Sequence, residues 1–268
     1  MSKTYWVDRI DEQNRRLLDK TEAQIMRQLI KLYEHSLLVL KKDIKQLYAD
    51  IITNQVNDTI SISDFYQYDR YYKMANDLNT NLASLNKSSI ELLEYKFEKM
   101  YIDSQFVLNK LNKNWSNDYI KDPRPVINDI CTSDGKNWSS RVWINTSQME
   151  EKVMGVLVDC FSRGVAVDKV VASVSEEFKG GIYAARRLVI TELSRIQCQS
   201  LLDDLIAHGV EKYKIIGADD DKTCEVCKKM IGKTFYVKDA IPGQTLPPLH
   251  PNGRCSIAPV IKGVNDNV

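Results

Sequence analysis

The chain has 268 residues, 43% hydrophobic and 27% charged, a composition that builds a real core and excludes the disordered and collagen-like classes. Its 37 basic and 36 acidic side chains leave a net charge of +1, with 18 of each over residues 1–122, which excludes a strongly basic nucleic-acid domain or a standing attraction to anionic membrane. No run reaches the ~18 uninterrupted apolar residues of a membrane helix, and the opening MSKTYWVDRIDEQNRR lacks an apolar signal region, so a reducing compartment is expected.

The first 122 residues contain neither glycine nor proline; the first of each are Gly135 and Pro123. Average usage would place about fifteen there, so this segment reads as long helices with few tight turns. Leu18, Ile25, Leu29, Leu32, Leu40, Ile44, Leu47 and Ile51 fall at helical steps or their multiples, with charges between them. A second stripe runs Leu93, Phe97, Met100, Val107, Leu111 and Trp115. The polar stretch 53–89 between them is expected to hold a loop and a weaker helix. Its tyrosines Tyr66, Tyr68, Tyr71 and Tyr72 read as half-buried packing rather than as an interface hot spot. An elongated hairpin of two or three helices follows.

KDPRPVINDICTSDGKNW (121–138) brings two prolines and the first glycine, and marks a boundary. Beyond it, Met149, Val153, Val156 and Cys160 form one helical face ending at Ser162-Arg163-Gly164. Asp168 is placed to cap a next helix that carries Val171, Val174 and Phe178 and closes at Gly180-Gly181. A third helix over roughly 182–207 stops at Gly209. After it EKYKIIG (211–217) and KTFYV (233–237) have strand character. The expected class is mainly α: long N-terminal helices over 1–122, a linker over 123–140, a small helical bundle over 141–208, and a C-terminal α+β module over 209–268.

That last module is too short and turn-rich to bury much apolar surface, and modules of this size need a staple. Cys224-x2-Cys227 and His250-x4-Cys255 supply one. A Cys-x2-Cys turn aims two thiolates at one point, its N–H groups hydrogen-bond the sulfurs, and a second short-spaced pair completes a tetrahedron. A strand pair around Gly232 is expected to bring the half-sites together, with Asn252-Gly253 making the turn before Cys255. Soft ligands select Zn²⁺, and four filled positions leave none for a reactive water, so the expected role is structural. Three thiolates and a neutral imidazole leave the complex at −1, which Lys222, Lys228, Lys229 and Arg254 are placed to offset.

Three readings compete. A redox Cys-x2-Cys sits at a helix start after a βαβ strand, whereas this one follows an acidic loop. A deaminase needs His-x-Glu, which the chain lacks. A zinc-knuckle nuclease or toxin-like enzyme acting on DNA needs a further histidine, and only His35 and His208 remain. Cys131, Cys160 and Cys198 are scattered singly and read as small buried hydrophobes.

The ordered series RRLVITELSRIQ, strand, acidic turn, C-x2-C, Gly232 hairpin and PPLHPNGRC resembles the phage head morphogenesis (Mu F-like minor capsid protein) family, over about residues 140–262. Members often carry a cysteine where this chain has Gly253; the departure leaves Cys255 as the choice in the second half-site. The resemblance implies a non-enzymatic minor virion protein associated with the portal inside the head, present in the host cytoplasm during assembly. It implies action in head assembly and in DNA packaging or ejection, with the portal and other head proteins as partners. Any DNA contact is expected to be weak, non-specific and salt-sensitive. Glu192 and Arg195 of its TE-x2-R helix lie one turn apart, which suits a salt bridge or buried polar strut and lacks the third group that an acid–base site requires.

Overall fold

The computed structural model describes residues 5–53, 61–66, 69–111, 121–130, 134–217 and 223–261. Among them seven helices and three strands follow in the order α1 (Tyr5–Thr53), α2 (Ile62–Tyr66), α3 (Arg70–Leu111), α4 (Arg124–Ile127), α5 (Trp138–Ser162), α6 (Val167–Ala207), β1 (Lys212–Ile216), α7 (Glu225–Met230), β2 (Thr234–Tyr236) and β3 (Ser256–Pro259). The mainly α class with a small C-terminal α+β part is what the sequence led one to expect.

The 49-residue α1 buries the stripe that its spacing announces: Leu18, Ile25, Leu29, Leu40, Ile44, Leu47 and Ile51 are all inside, and Leu32 is half-buried. In α3, Leu93, Phe97, Met100 and Val107 are buried, and Trp115 lies outside the described residues. The stretch before that stripe is more helical than its polar composition suggested, because α3 already begins at Arg70 and buries Met74, Leu78, Leu82 and Leu85. These apolar residues recur every three or four positions among the Asn, Asp and Ser. Tyr66 and Tyr72 are exposed, and the rings of Tyr66, Tyr71 and Tyr72 touch in sequence at 5.1 and 5.5 Å. Tyr68 is outside the described residues.

The expected break at Gly180-Gly181 does not occur. One helix, α6, runs through it from Val167 to Ala207, with Asp168 in its first turn rather than at its cap. The reason is packing. A Cβ at Gly181 would lie 2.6 Å from Met149 Sδ and 3.1 Å from a Tyr33 ring carbon. The glycine admits a neighbouring helix at close range, and the rest of α6 supplies enough buried side chains to carry it through two poor helix formers.

Packing divides the chain into two compact units, whereas composition divides it linearly. One unit takes Met26–Leu92 and Ser139–Arg186, the other Met1–Ile25, Leu93–Trp138 and Arg187–Val268. In the first, Leu40 and Ile44 of α1, Leu78 and Leu82 of α3, Val153 and Leu157 of α5, and Val174 and Phe178 of α6 make one core. Phe65 stacks on Phe161 there, with ring centres 4.2 Å apart. In the second, Leu201, Leu202 and Leu205 of α6 cover the sheet through Tyr213, Ile215 and Ile257.

The sheet has the order β2-β1-β3, antiparallel throughout. The strands at 212–216 and 234–236 fall inside the two expected segments, but they are not a hairpin around Gly232. Helix α7 intervenes, and Gly232, at φ 87°, turns the chain from that helix into β2, its N–H donating to the Ile215 carbonyl at 2.8 Å. The third strand, Ser256–Pro259, was not evident from SIAP, whose serine and proline hide its strand character. It pairs with β1 in the register Ile215↔Ile257.

Candidate metal centre

Cys224 stands at the start of α7 in extended conformation, φ −74° and ψ 163°, and its sulfur accepts the Cys227 N–H at 3.5 Å. The one helical turn between them puts both sulfurs on the same side. That hydrogen bond is the main reason the Cys224 thiol is held below its ordinary pKa, while burial and then the neighbouring Cys255 thiol push that of Cys227 up. A redox Cys-x2-Cys also begins a helix, so placement at a helix start does not separate the two readings. The sheet does, since among the described residues it is antiparallel and has no βαβ unit.

His250 reaches the pair from the Pro-rich loop, its Nε2 lying 3.0 Å from Cys224 Sγ and 3.1 Å from Cys227 Sγ. Its other ring nitrogen, Nδ1, is 2.7 Å from the Pro251 carbonyl. A carbonyl only accepts, so Nδ1 carries a hydrogen and Nε2 is the ring nitrogen turned to the sulfurs. That is the orientation a ligand requires, fixed in the way that metal-bound histidines are fixed. Asn252 takes the left-handed conformation at φ 63°, and Gly253 N–H closes on the His250 carbonyl at 3.0 Å. The positive φ thus belongs to Asn252. Gly253 is required for room, because a Cβ there would stand 2.9 Å from the His250 carbonyl oxygen.

Cys224, Cys227 and His250 therefore form a cluster that can hold a metal ion, their ligand atoms all within 4.8 Å of one another. Cys255 lines the same small cavity of about 30 Å³ and has its thiol in hydrogen-bond reach of Cys227. It stands immediately before β3, so the ladder to β1 fixes its position. The donor set suits a soft or borderline dication. A tetrahedral zinc site separates sulfur from nitrogen by about 3.5 Å, slightly more than the pairs seen here, so loading asks for a shift of a few tenths of an ångström.

Helix α6 braces this centre. The Thr191 hydroxyl donates to the Arg187 carbonyl and accepts the Asn252 N–H at 3.1 Å, which holds the turn that carries His250. Ser194 and Cys198 both point hydrogen bonds at the Cys255 carbonyl, at 3.5 and 3.6 Å. One turn along, Arg195 Nε donates to Glu192 Oε2 at 2.8 Å, and its two terminal nitrogens donate to the Val126 and Ile127 carbonyls of α4, at 2.9 and 3.2 Å. Both side chains are buried.

Of the cations expected to offset the sulfurs, Arg254 lines the cavity. Lys228 pairs with Glu225 at 3.6 Å, Lys229 is exposed, and Lys222 lies outside the described residues. The cation that sequence reasoning missed is Arg15 of α1, which lines the same cavity. Nothing in its heptad surroundings sets it apart from the other charges of that helix. His208 sits at the end of α6, its Nδ1 donating to the Asp204 carbonyl at 2.8 Å, and His35 is exposed; neither belongs to the cluster. Cys160 and Cys198 are buried, and burial drives the Cys198 thiol to about 12. Cys131 is outside the described residues. Among the described residues no helix is long and apolar enough to cross a membrane.

Residues 151–258 match the family model described as Phage Mu protein F like protein. No curated protein and no solved structure matches the chain. The matched segment runs from α5 through α6 to β3 and holds the whole Cys/His cluster together with Glu192 and Arg195. Over this segment the chain is similar to the Phage Mu protein F like family, in line with the motif resemblance.

Proposed function

We propose that this protein is a minor head protein that docks on the portal, acts in head assembly and in DNA packaging or ejection, and performs no chemistry of its own. Residues 141–208 and 209–268 are the helical and zinc-bearing parts of its head morphogenesis domain. Cys224, Cys227, His250 and Cys255 hold one structural Zn²⁺, and Glu192 with Arg195 forms a buried strut. The observation that carries the reading is the His250 ring, whose Nδ1 is committed to a carbonyl while Nε2 faces two sulfurs inside the family-matched segment. The filled donor set favours a clamp over a hydrolytic centre, which keeps a position open.

Metal analysis tests the site: the purified chain is expected to carry one zinc, and Cys227→Ser to lose the metal and the fold of the C-terminal module together. Copurification with the portal protein tests the role. Cutting of DNA with Mg²⁺ or Mn²⁺, abolished by His208→Ala, would instead establish the zinc-knuckle nuclease. DNA binding that is tight and insensitive to salt would contradict the weak electrostatic contact expected of a chain with balanced charge.

A further inference from the structure

The cavity between the four candidate ligands has a wall from far outside the matched segment. Arg15, on α1, lines it beside Gly217, Thr223, Asn252 and Arg254. One terminal nitrogen of its guanidinium pairs with Asp11 Oδ2 at 2.7 Å. Its Nε is buried and has no hydrogen-bond partner. An orphaned guanidinium N–H is costly in a protein interior, where buried donors are almost always satisfied.

The position of Arg15 is fixed by its neighbours. Asn14 is completely buried; its Nδ2 donates to Ser256 Oγ at 3.0 Å, and its carbonyl accepts from Gln197 Nε2 at 3.0 Å. Ser256 follows Cys255 directly. This turn of α1 is thus bolted between α6 and β3 at the residue next to a candidate ligand. A thiolate carrying metal is a good acceptor for such an N–H, and a complex of three thiolates, one imidazole and a dication carries one negative charge.

Resting on the zinc reading above, we infer that Arg15 is an outer-shell partner of the metal centre: its Nε–H donates to a metal-bound thiolate, and metal loading thereby straps helix α1 to the C-terminal module. Asp11, although paired with Arg15, opposes this contact electrostatically, being a carboxylate whose charge acts on Cys255. Loss of metal releases the first turns of α1.

The test uses the full chain and zinc alone. Affinity measured by competition with a chromophoric chelator is expected to fall about 10- to 100-fold in Arg15→Gln, the usual cost of an outer-shell partner, and by less in Arg15→Lys. Asp11→Asn is expected to leave affinity unchanged or raise it. An Arg15→Gln protein that binds zinc within twofold of wild type overturns the inference. So does an Asp11→Asn protein weakened as much as Arg15→Gln, since docking of the helix would then be the cause. Hydrogen exchange on the unmutated chain covers the case of a variant that fails to fold. Amides over residues 8–18 are expected to lose protection when a chelator is added, while those over 40–51 keep theirs; identical exchange over 8–18 with and without metal overturns it too. If the wild-type chain binds no zinc at all, the zinc reading itself fails, a result distinct from any of these.

Discussion

Arg195 shows what one buried side chain does here. Three of its nitrogens are spent on Glu192 and on two carbonyls of α4. The apparent linker at 123–140 is therefore pinned at Arg124–Ile127, where Val126 and Ile127 are buried. Removing the guanidinium leaves a carboxylate and two carbonyls buried without these donors, which costs far more than a surface pair. Arg195→Ala is expected to destabilise the fold by about 3–5 kcal/mol, measured by urea unfolding. Arg195→Gln, which retains only part of the donor set, is expected to recover little of that. A variant within about 1 kcal/mol of wild type would place Arg195 outside the stability core. Thr191 and Glu192 were legible in the sequence as a helical pair of motif residues. That Thr191 faces the HPN turn while Arg195, held by Glu192, faces α4 was not, because side-chain direction on a helix has meaning only once its neighbours are placed.

For the elements, α6 is the instructive one. A glycine pair reads as a helix end because each glycine costs about 1 kcal/mol relative to alanine in a helix interior. The two glycines nonetheless differ. Gly180 has open space around its missing Cβ, whereas Gly181 faces Met149 and Tyr33. Gly180→Ala is therefore expected to stabilise the protein by about 0.5–1 kcal/mol. Gly181→Ala is expected to destabilise it by about 1–3 kcal/mol as Met149 and Tyr33 are displaced. Equal effects in thermal unfolding would show that close approach is not why Gly181 is there. The strands tell a similar story: β1 and β2 carry β-branched and aromatic residues and were visible, while β3 is defined by its partner across the ladder, Ile215↔Ile257 and Ile216↔Ser256.

In the whole molecule, pH reports on burial. The chain has 13 tyrosines, and burial pushes both Tyr33 and Tyr48 up to about 12. The neutral phenol is the form that the core of α1, α3, α5 and α6 accommodates, and Tyr48 donates to the Val165 carbonyl at 2.9 Å. In the unfolded chain a tyrosine ionises near 10. Their contribution to stability is therefore complete below pH 10, declines as pH rises from 10 to about 12, and is lost beyond, at about 1.4 kcal/mol per pH unit for each. Absorbance at 295 nm is expected to show these two tyrosines ionising late, together with unfolding. A single titration step near pH 10 with the fold intact would contradict their burial.

By itself the sequence determined the long helices, two of three strands, and Cys224, Cys227 and His250 as residues that can hold a metal ion. Each is written locally, in periodicity, in the absence of breakers or in ligand spacing, and local signals survive without a structure. Only the tertiary structure decided that α6 continues through Gly181, that SIAP is a strand, and which ring nitrogen of His250 faces the sulfurs. It alone placed Arg15 beside residues more than two hundred positions downstream. These depend on which surfaces meet, and no single stretch of chain carries that information.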